Sequence, residues 1–360
     1  MITPADEYLT HQTPFTFDSV FTSDRNFYDR YFFNGYSRDG SVYFALAMGA
    51  YPNRGVFDAA FSVVFEGIQY CVRASRALDG DRLDSAAGPI RVDVIEPLRR
   101  GRVTVAANDA RILADVTWAA RSLPNEEPHF FRRAGNSVAM DYTRMTQHVA
   151  WSGSLTVAGR TFDLGEVAWW GSRDHSWGIR RVGEPQGGRP ATGTPQFFWN
   201  WAPANFDDLC TLYTISEDAA GVPWHQAGVV LTPYPDALES HCAVAHDLVY
   251  KPGTRHIQSA RITLSPDTGE PLVLTYRPLY QFLMQGLGYG HPTWGHGMWV
   301  GPNETSAESY DLAAVDPSRH LHVQAVCEVE AGERRGIGVF EIIAAGPHAP
   351  SGFRSLTDTA

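Results

Sequence analysis

Short apolar runs that alternate with period two recur along this sequence, and that alternation restricts most of the chain to extended structure. In ILADVTW, the residues Ile112, Ala114, Val116 and Trp118 fall on one side of an extended chain, and Asp115 and Thr117 on the other. IRVDVIEP, RRGRVTVAAN and TQHVAWSGSLTVAGRTFDLG repeat the pattern, with breaks at Glu96-Pro97, Asn108-Asp109 and a tight turn at Ala158-Gly159. One apolar and one polar face suits an antiparallel meander or barrel wall. SVYFALAMGAY, VFDAAFSVVFEG and IQYCVRAS are more continuously apolar and also read as strands. So do FFWNWAPANF, LCTLYTIS, HQAGVVLTP, RITLSPD, PLVLTYRP, LHVQAVCEV and GIGVFEIIAAG in the second half. The expected fold is all-β.

At 360 residues the chain exceeds the size at which one core usually stops growing, so two domains are expected. The Gly/Pro-dense stretch from Val182 to Pro195 is the natural divide. This gives an N-terminal β domain over 1–190 that includes an irregular arm over the first 40 residues. A second β domain covers 191–348, and 349–360 forms a flexible tail. Two halves of similar texture suggest a tandem of barrels.

Several functions are disfavoured. A formal net charge of −11 repels phosphate backbones, so nucleic acid is not an expected partner. No strand–helix rhythm accompanies a GxGxxG, and no GxxxxGK[ST], GxSxG or HExxH occurs. No uncharged apolar run is long enough to span a bilayer, and no secretory signal precedes the first strand, so a cytoplasmic location is expected. The cysteines Cys71, Cys210, Cys242 and Cys327 are scattered, with no CxxC pair. Reduced, packed thiols are expected rather than disulfides or a zinc site.

Three stretches carry chemistry. In AWWGSRDHSWGIR, strand parity places Arg173, His175 and Trp177 on one face with Trp169, and Asp174 and Ser176 on the other with Trp170. Consecutive Arg, Asp and His between tryptophans need partners if buried. As a pocket floor, the run would use His175 as acid or base, with Asp174 or Arg173 orienting it or stabilising charge, and Trp177 facing substrate. As structure, it would be an ion-pair network closing a barrel. In Phe197 to Trp201, Trp199 and Trp201 share a face and would form an aromatic pocket wall or ordinary core. GLGYGHPTWGHGMWVGP offers His291, Trp294, His296 and Trp299 on a Gly-rich backbone that lines a site or turns a barrel corner. His291/His296 and His320/His322 lack a third ligand at a known spacing, so neither metal nor any other cofactor is expected. Glu126-Glu127 and Asp207-Asp208 read as surface charge.

At Asp174, His175, Ser176 and Trp177, with an aromatic strand about 25 residues later, the sequence resembles the lipocalin-related group of carotenoid 1,2-hydratases (hydroxyneurosporene synthases) and AttH-like proteins. The GHPTWGHGMW loop resembles bacterial relatives of that group. The resemblance implies two lipocalin-like (calycin) antiparallel β-barrel domains in tandem. It also implies chemistry on polyenes, terpenoids or polyketides by hydratases and pericyclic cyclases. It supports His175 and Trp177 as site residues. The Tyr-x-Asp pair that the second strand supplies in the hydratases is missing: WNWAPANF has neither residue there, and Asp207 and Asp208 follow a few residues later.

The leading expectation is a lyase (hydratase or dehydratase) or an isomerase or cyclase. It would act on an apolar unsaturated small molecule in a barrel pocket, with Trp177, Trp199 and Trp201 offering π faces to developing positive charge. Asp174 would be a better acid than His175, although Arg173 beside it would lower its pKa. A non-catalytic carrier of a hydrophobic ligand is the alternative, and an interaction domain with a purely structural Arg-Asp-His run is the third reading. The expected partner is a hydrophobic small molecule; a homodimer is compatible with the sequence.

Overall fold

The computed structural model describes residues 1–165, 169–183, 194–356 and 358–360. The expected divide at 190/191, most of the Val182 to Pro195 stretch and Ala168 lie outside the described residues. Among the described residues the regular structure is strand, interrupted only by short 3-10 turns. The all-β expectation holds as two antiparallel, barrel-like sheets in tandem, a lipocalin-like pairing.

The first sheet begins as a meander through Phe27–Ser37, Val42–Tyr51, Val56–Phe65 and Ile68–Ala77. Phe27–Ser37 pairs on its other side with Trp169–Arg180, which leads through Ser137–Val157 and Ile112–Ala120 to Arg100–Val105 and Ile90–Glu96. Local chemistry closes the hairpins. Glu66 and Gly67 both have positive φ (50° and 77°) between Phe65 and Ile68, as do Ala158 and Gly159 (50° and 85°) between Val157 and Arg160. Two consecutive positive φ values give the primed turn whose twist matches antiparallel strands.

The second sheet closes on itself. Pro223–Leu231 pairs with Glu239–Tyr250 on one side and with Cys210–Glu217 on the other; the ring runs through Ile257–Pro266, Leu272–Leu283, His322–Ala331 and Arg334–Ala345 and returns to Cys210–Glu217 by way of Phe197–Trp201. One strand crosses between the halves: Asn303–Asp311 pairs with Ile68–Ala77 and extends the first sheet.

Among the described residues, three of the four apolar clusters form successive layers. One fills the first sheet around Phe44, Phe61, Trp118 and Trp151. One fills the second around Tyr213, Ile262, Tyr276 and Phe340. The third, with Phe32, Tyr43, Trp170, Trp201, Leu212, Phe282 and Val339, lies between them. Strands against the middle layer are therefore covered on both faces, and Val42–Tyr51 is buried at every position. This is why its sequence is continuously apolar rather than alternating.

Cys71, Cys210 and Cys327 are buried free thiols, and Cys242 is half-buried. Residues 349–360, expected as a flexible tail, include Asp358, whose Oδ1 lies 2.6 Å from an Arg255 nitrogen. The same guanidinium donates to the carbonyls of Ala344 (3.0 Å), Gly346 (2.8 Å) and Ser355 (2.8 Å). No described helix is long and apolar enough to cross a membrane.

Candidate functional site

A cavity of about 860 Å³ opens between the two sheets, inside the size range of small-molecule sites. The first sheet supplies one wall. Asp174, Ser176 and Arg180 come from Trp169–Arg180, Arg30 and Phe32 from Phe27–Ser37, and Tyr142 and Arg144 from Ser137–Val157. Register explains the grouping, because Ser176 lies opposite both Arg30 and Arg144, and Asp174 lies opposite Phe32. The second sheet contributes Trp199, His322 and Glu341, and the segment after Leu283 adds Met284, Tyr289 and His296.

Parity thus divides GSRDHSWGIR as expected, and the cavity meets the face with Asp174. Arg173, His175 and Trp177, the residues expected to line the pocket together, lie on the opposite face. Arg173 is buried; its Nε and Nη2 donate to Gln147 Oε1 at 2.9 and 2.7 Å, and its guanidinium lies 4.4 Å from the Trp118 ring. His175 Nε2 meets Asp29 Oδ1 at 2.7 Å, with its ring against Tyr31. Trp177 is 40% exposed. The physical reason is that this sheet is packed on both sides. The Arg173 face turns toward the first core, and the Asp174 face toward the second barrel.

That division weakens the expected conflict between Arg173 and Asp174: the two point apart, and Arg173 is not among the main influences on Asp174. The Asp174 carboxyl makes no ion pair and no side-chain hydrogen bond with a described residue. Burial is the largest influence on it and pushes its pKa up to about 6. Arg144 and Arg180 pull the other way, and Glu127 and Glu341 add to the rise.

Beside it, Arg144 is satisfied. Glu127 accepts from its Nε at 2.8 Å and its Nη2 at 2.5 Å, and Thr146 Oγ1 donates to the same carboxylate at 2.7 Å. The Arg144 guanidinium also lies 5.2 Å from the Trp199 ring. Glu127, expected as surface charge with Glu126, is instead 1% exposed: it turns inward because it is the counter-ion that buried Arg144 requires. Asp207 and Asp208 are exposed and pair with Arg38 and Arg334.

On the far wall, Glu341 accepts from His322 Nε2 and, at 2.6 Å, from Gln324 Nε2. Tyr289 stands edge-on to both His322 and His296, with ring centroids 4.6 and 4.0 Å apart. His296 is buried, and burial with Arg30 and Arg180 nearby pushes its pKa well below the usual imidazole value. Arg30, which can only donate, lies 2.8 Å from His296 Nε2.

Of the expected binding residues, Trp199 and His296 reach the cavity. Trp201 is buried in the middle layer, with its ring edge-on to Phe32 at 5.9 Å. Trp294 borders a separate void of about 10 Å³, His291 Nε2 lies 3.5 Å from Glu308, and Trp299 is 53% exposed. Among the described residues no group of three or more His, Cys, Asp or Glu side chains is arranged to hold a metal ion. Arg30, Arg144, Tyr289 and Glu341 were not singled out from sequence, and Glu127 was read as surface charge. Tyr289 and Arg180 sit inside runs that were, whereas nothing local marks Glu127 or Glu341.

Two antiparallel, barrel-like sheets with a cavity between them make this a lipocalin-like, two-barrel fold. The fold is similar to that of an AttH-type protein from Nitrosomonas europaea, with a TM-score of 0.54 and 12% identity over 93% of this chain and 98% of that one. It is also similar to CghA in its structure with Sch210972, with a TM-score of 0.52 and 12% identity over 89% of each chain. The expected resemblance to AttH-like proteins is therefore present in the fold. The chain belongs to a family of unknown function, DUF8625, whose model matches residues 2–354. No curated protein matches it in sequence.

Proposed function

We propose that this chain is an enzyme of the lyase or isomerase type. It binds an apolar, unsaturated small molecule between its barrels and transforms it by hydration or dehydration, isomerisation or cyclisation, with Asp174 as the proton-transfer group. The observation that carries this reading is Asp174 itself: a carboxyl facing a ligand-sized cavity, without a hydrogen-bond or ion-pair partner among the described residues, with its pKa pushed up to about 6. A structural aspartate would be paired, as Glu127 is. A group titrating near the operating pH can give and retake a proton within one turnover. Phe32, Trp199 and Met284 supply apolar surface on which an extended substrate could be folded into a reactive shape. The neighbours AttH and CghA support the fold on which such a pocket is built, and the binding of Sch210972 belongs to CghA alone.

Positioned acid catalysis contributes roughly 10²–10⁴-fold. The test incubates the full chain with polyene, terpenoid and polyketide substrates and follows gain or loss of water, or an isomeric product, by mass spectrometry. Asp174→Asn is expected to lower turnover by about that factor while leaving substrate binding and the fold intact. Undiminished turnover in Asp174→Asn would remove Asp174 from the mechanism. Binding without turnover in the unmodified chain would make the protein a carrier.

A further inference from the structure

The pocket runs against the charge of the chain. Net charge is −11, yet the cavity lining holds six arginines, Arg30, Arg132, Arg133, Arg144, Arg180 and Arg181, against the carboxylates Asp174 and Glu341. Arg144 is neutralised by Glu127, and Arg30 lies 2.6 Å from Tyr51 Oη and 3.4 Å from Asp58. Glu341 is answered by His322 and Gln324. Arg180 has no ion pair and no side-chain hydrogen bond to a described residue. Its guanidinium is held by rings instead, 4.8 Å from the Tyr28 centroid and 5.8 Å from that of Tyr142, both of them buried. Packing against ring faces fixes the guanidinium plane and leaves its N–H edge available to a planar two-oxygen acceptor.

We propose that Arg180 forms a carboxylate subsite, so that the substrate is a long unsaturated acid rather than a neutral hydrocarbon. This rests on the reading of the cavity as a substrate pocket and specifies its ligand. Arg180 and Asp174 share a strand face six residues apart, about 20 Å of backbone at ~3.3 Å per residue, shortened by the reach of the arginine. A molecule anchored at Arg180 therefore needs a chain of ten or so carbon atoms to present a double bond to Asp174. The intervening Gly178, with φ 135°, adds no side chain between them.

The probes are cis-parinaric acid, a conjugated tetraene acid, and its methyl ester, titrated into the full chain and followed by energy transfer from tryptophan. The acid is expected to bind roughly tenfold or more tightly than the ester, the factor set by one charge-assisted hydrogen bond. Arg180→Met should bring acid affinity down to that of the ester, which itself stays within about twofold. Arg261→Gln, at an exposed arginine outside the cavity, should keep the preference. Should Arg180→Met fail to fold, Arg180→Lys, which keeps the charge and loses the fork, should reduce the preference several-fold. Equal binding of acid and ester, or a preference that survives Arg180→Met, overturns the subsite and leaves the pocket reading standing. Binding of neither probe overturns both.

Discussion

The two faces of Trp169–Arg180 carry similar side chains and treat them differently. On the face toward the first core, Arg173 and His175 each find a partner, in Gln147 and Asp29. On the face toward the cavity, Asp174 and Arg180 find none among the described residues. Both are half-buried and border the cavity, so their polar atoms stay within reach of a ligand. The same strand thus holds a stabilising side and, in the proposed function, a reactive side, one residue apart.

That contrast can be broken at its strongest point first. Glu127→Gln leaves Arg144 buried beside Asp174 without its counter-ion, and is expected to cost about 3–5 kcal/mol in chemical denaturation. A loss under about 1 kcal/mol would show that cavity water satisfies Arg144 and that the pair is not structural.

Next is pH. Asp174 has its folded pKa raised from 3.8 to about 6, so its proton is bound more tightly in the folded state. The stability it contributes is fully present below about pH 4 and is lost as pH rises through about 6, at up to ~1.4 kcal/mol per pH unit. Comparing denaturation at pH 5 and pH 7.5, Asp174→Asn should lack this component. Parallel pH curves for the two proteins would place an ordinary carboxylate at 174.

The smallest effect is expected on the other face. The His175–Asp29 pair is partly solvated, so His175→Ala should change stability by about 1 kcal/mol or less and leave turnover unaltered. A large loss of turnover would move the reactive side of the strand to the face on which the sequence alone had placed it.

Much of the fold was legible. Ile112–Ala120 alternates because one of its faces is more solvated than the other, and Ala158-Gly159 marks its own turn. The candidate site was legible by half. Alternation separated Asp174 from His175, but which side meets the cavity depends on the second barrel, and both sides of this strand are largely covered. Trp and His residues attracted attention in GHPTWGHGMW, yet of the four singled out there only His296 reaches the cavity. Glu127 and Arg144, 17 positions apart, become partners only through strand pairing, so no local spacing announces them.

The strand Asn303–Asp311 has a consequence for how the protein is made. It covers Ile68–Ala77, which leaves the ribosome more than two hundred residues earlier. At ~5–20 residues per second, that strand waits on the order of ten seconds or longer for its neighbour. Throughout that interval the nascent first sheet presents an open row of amide and carbonyl groups, the kind of edge on which chains aggregate. Synthesis of this protein therefore includes a period in which a chaperone, or simply speed, must keep that edge from finding the wrong strand.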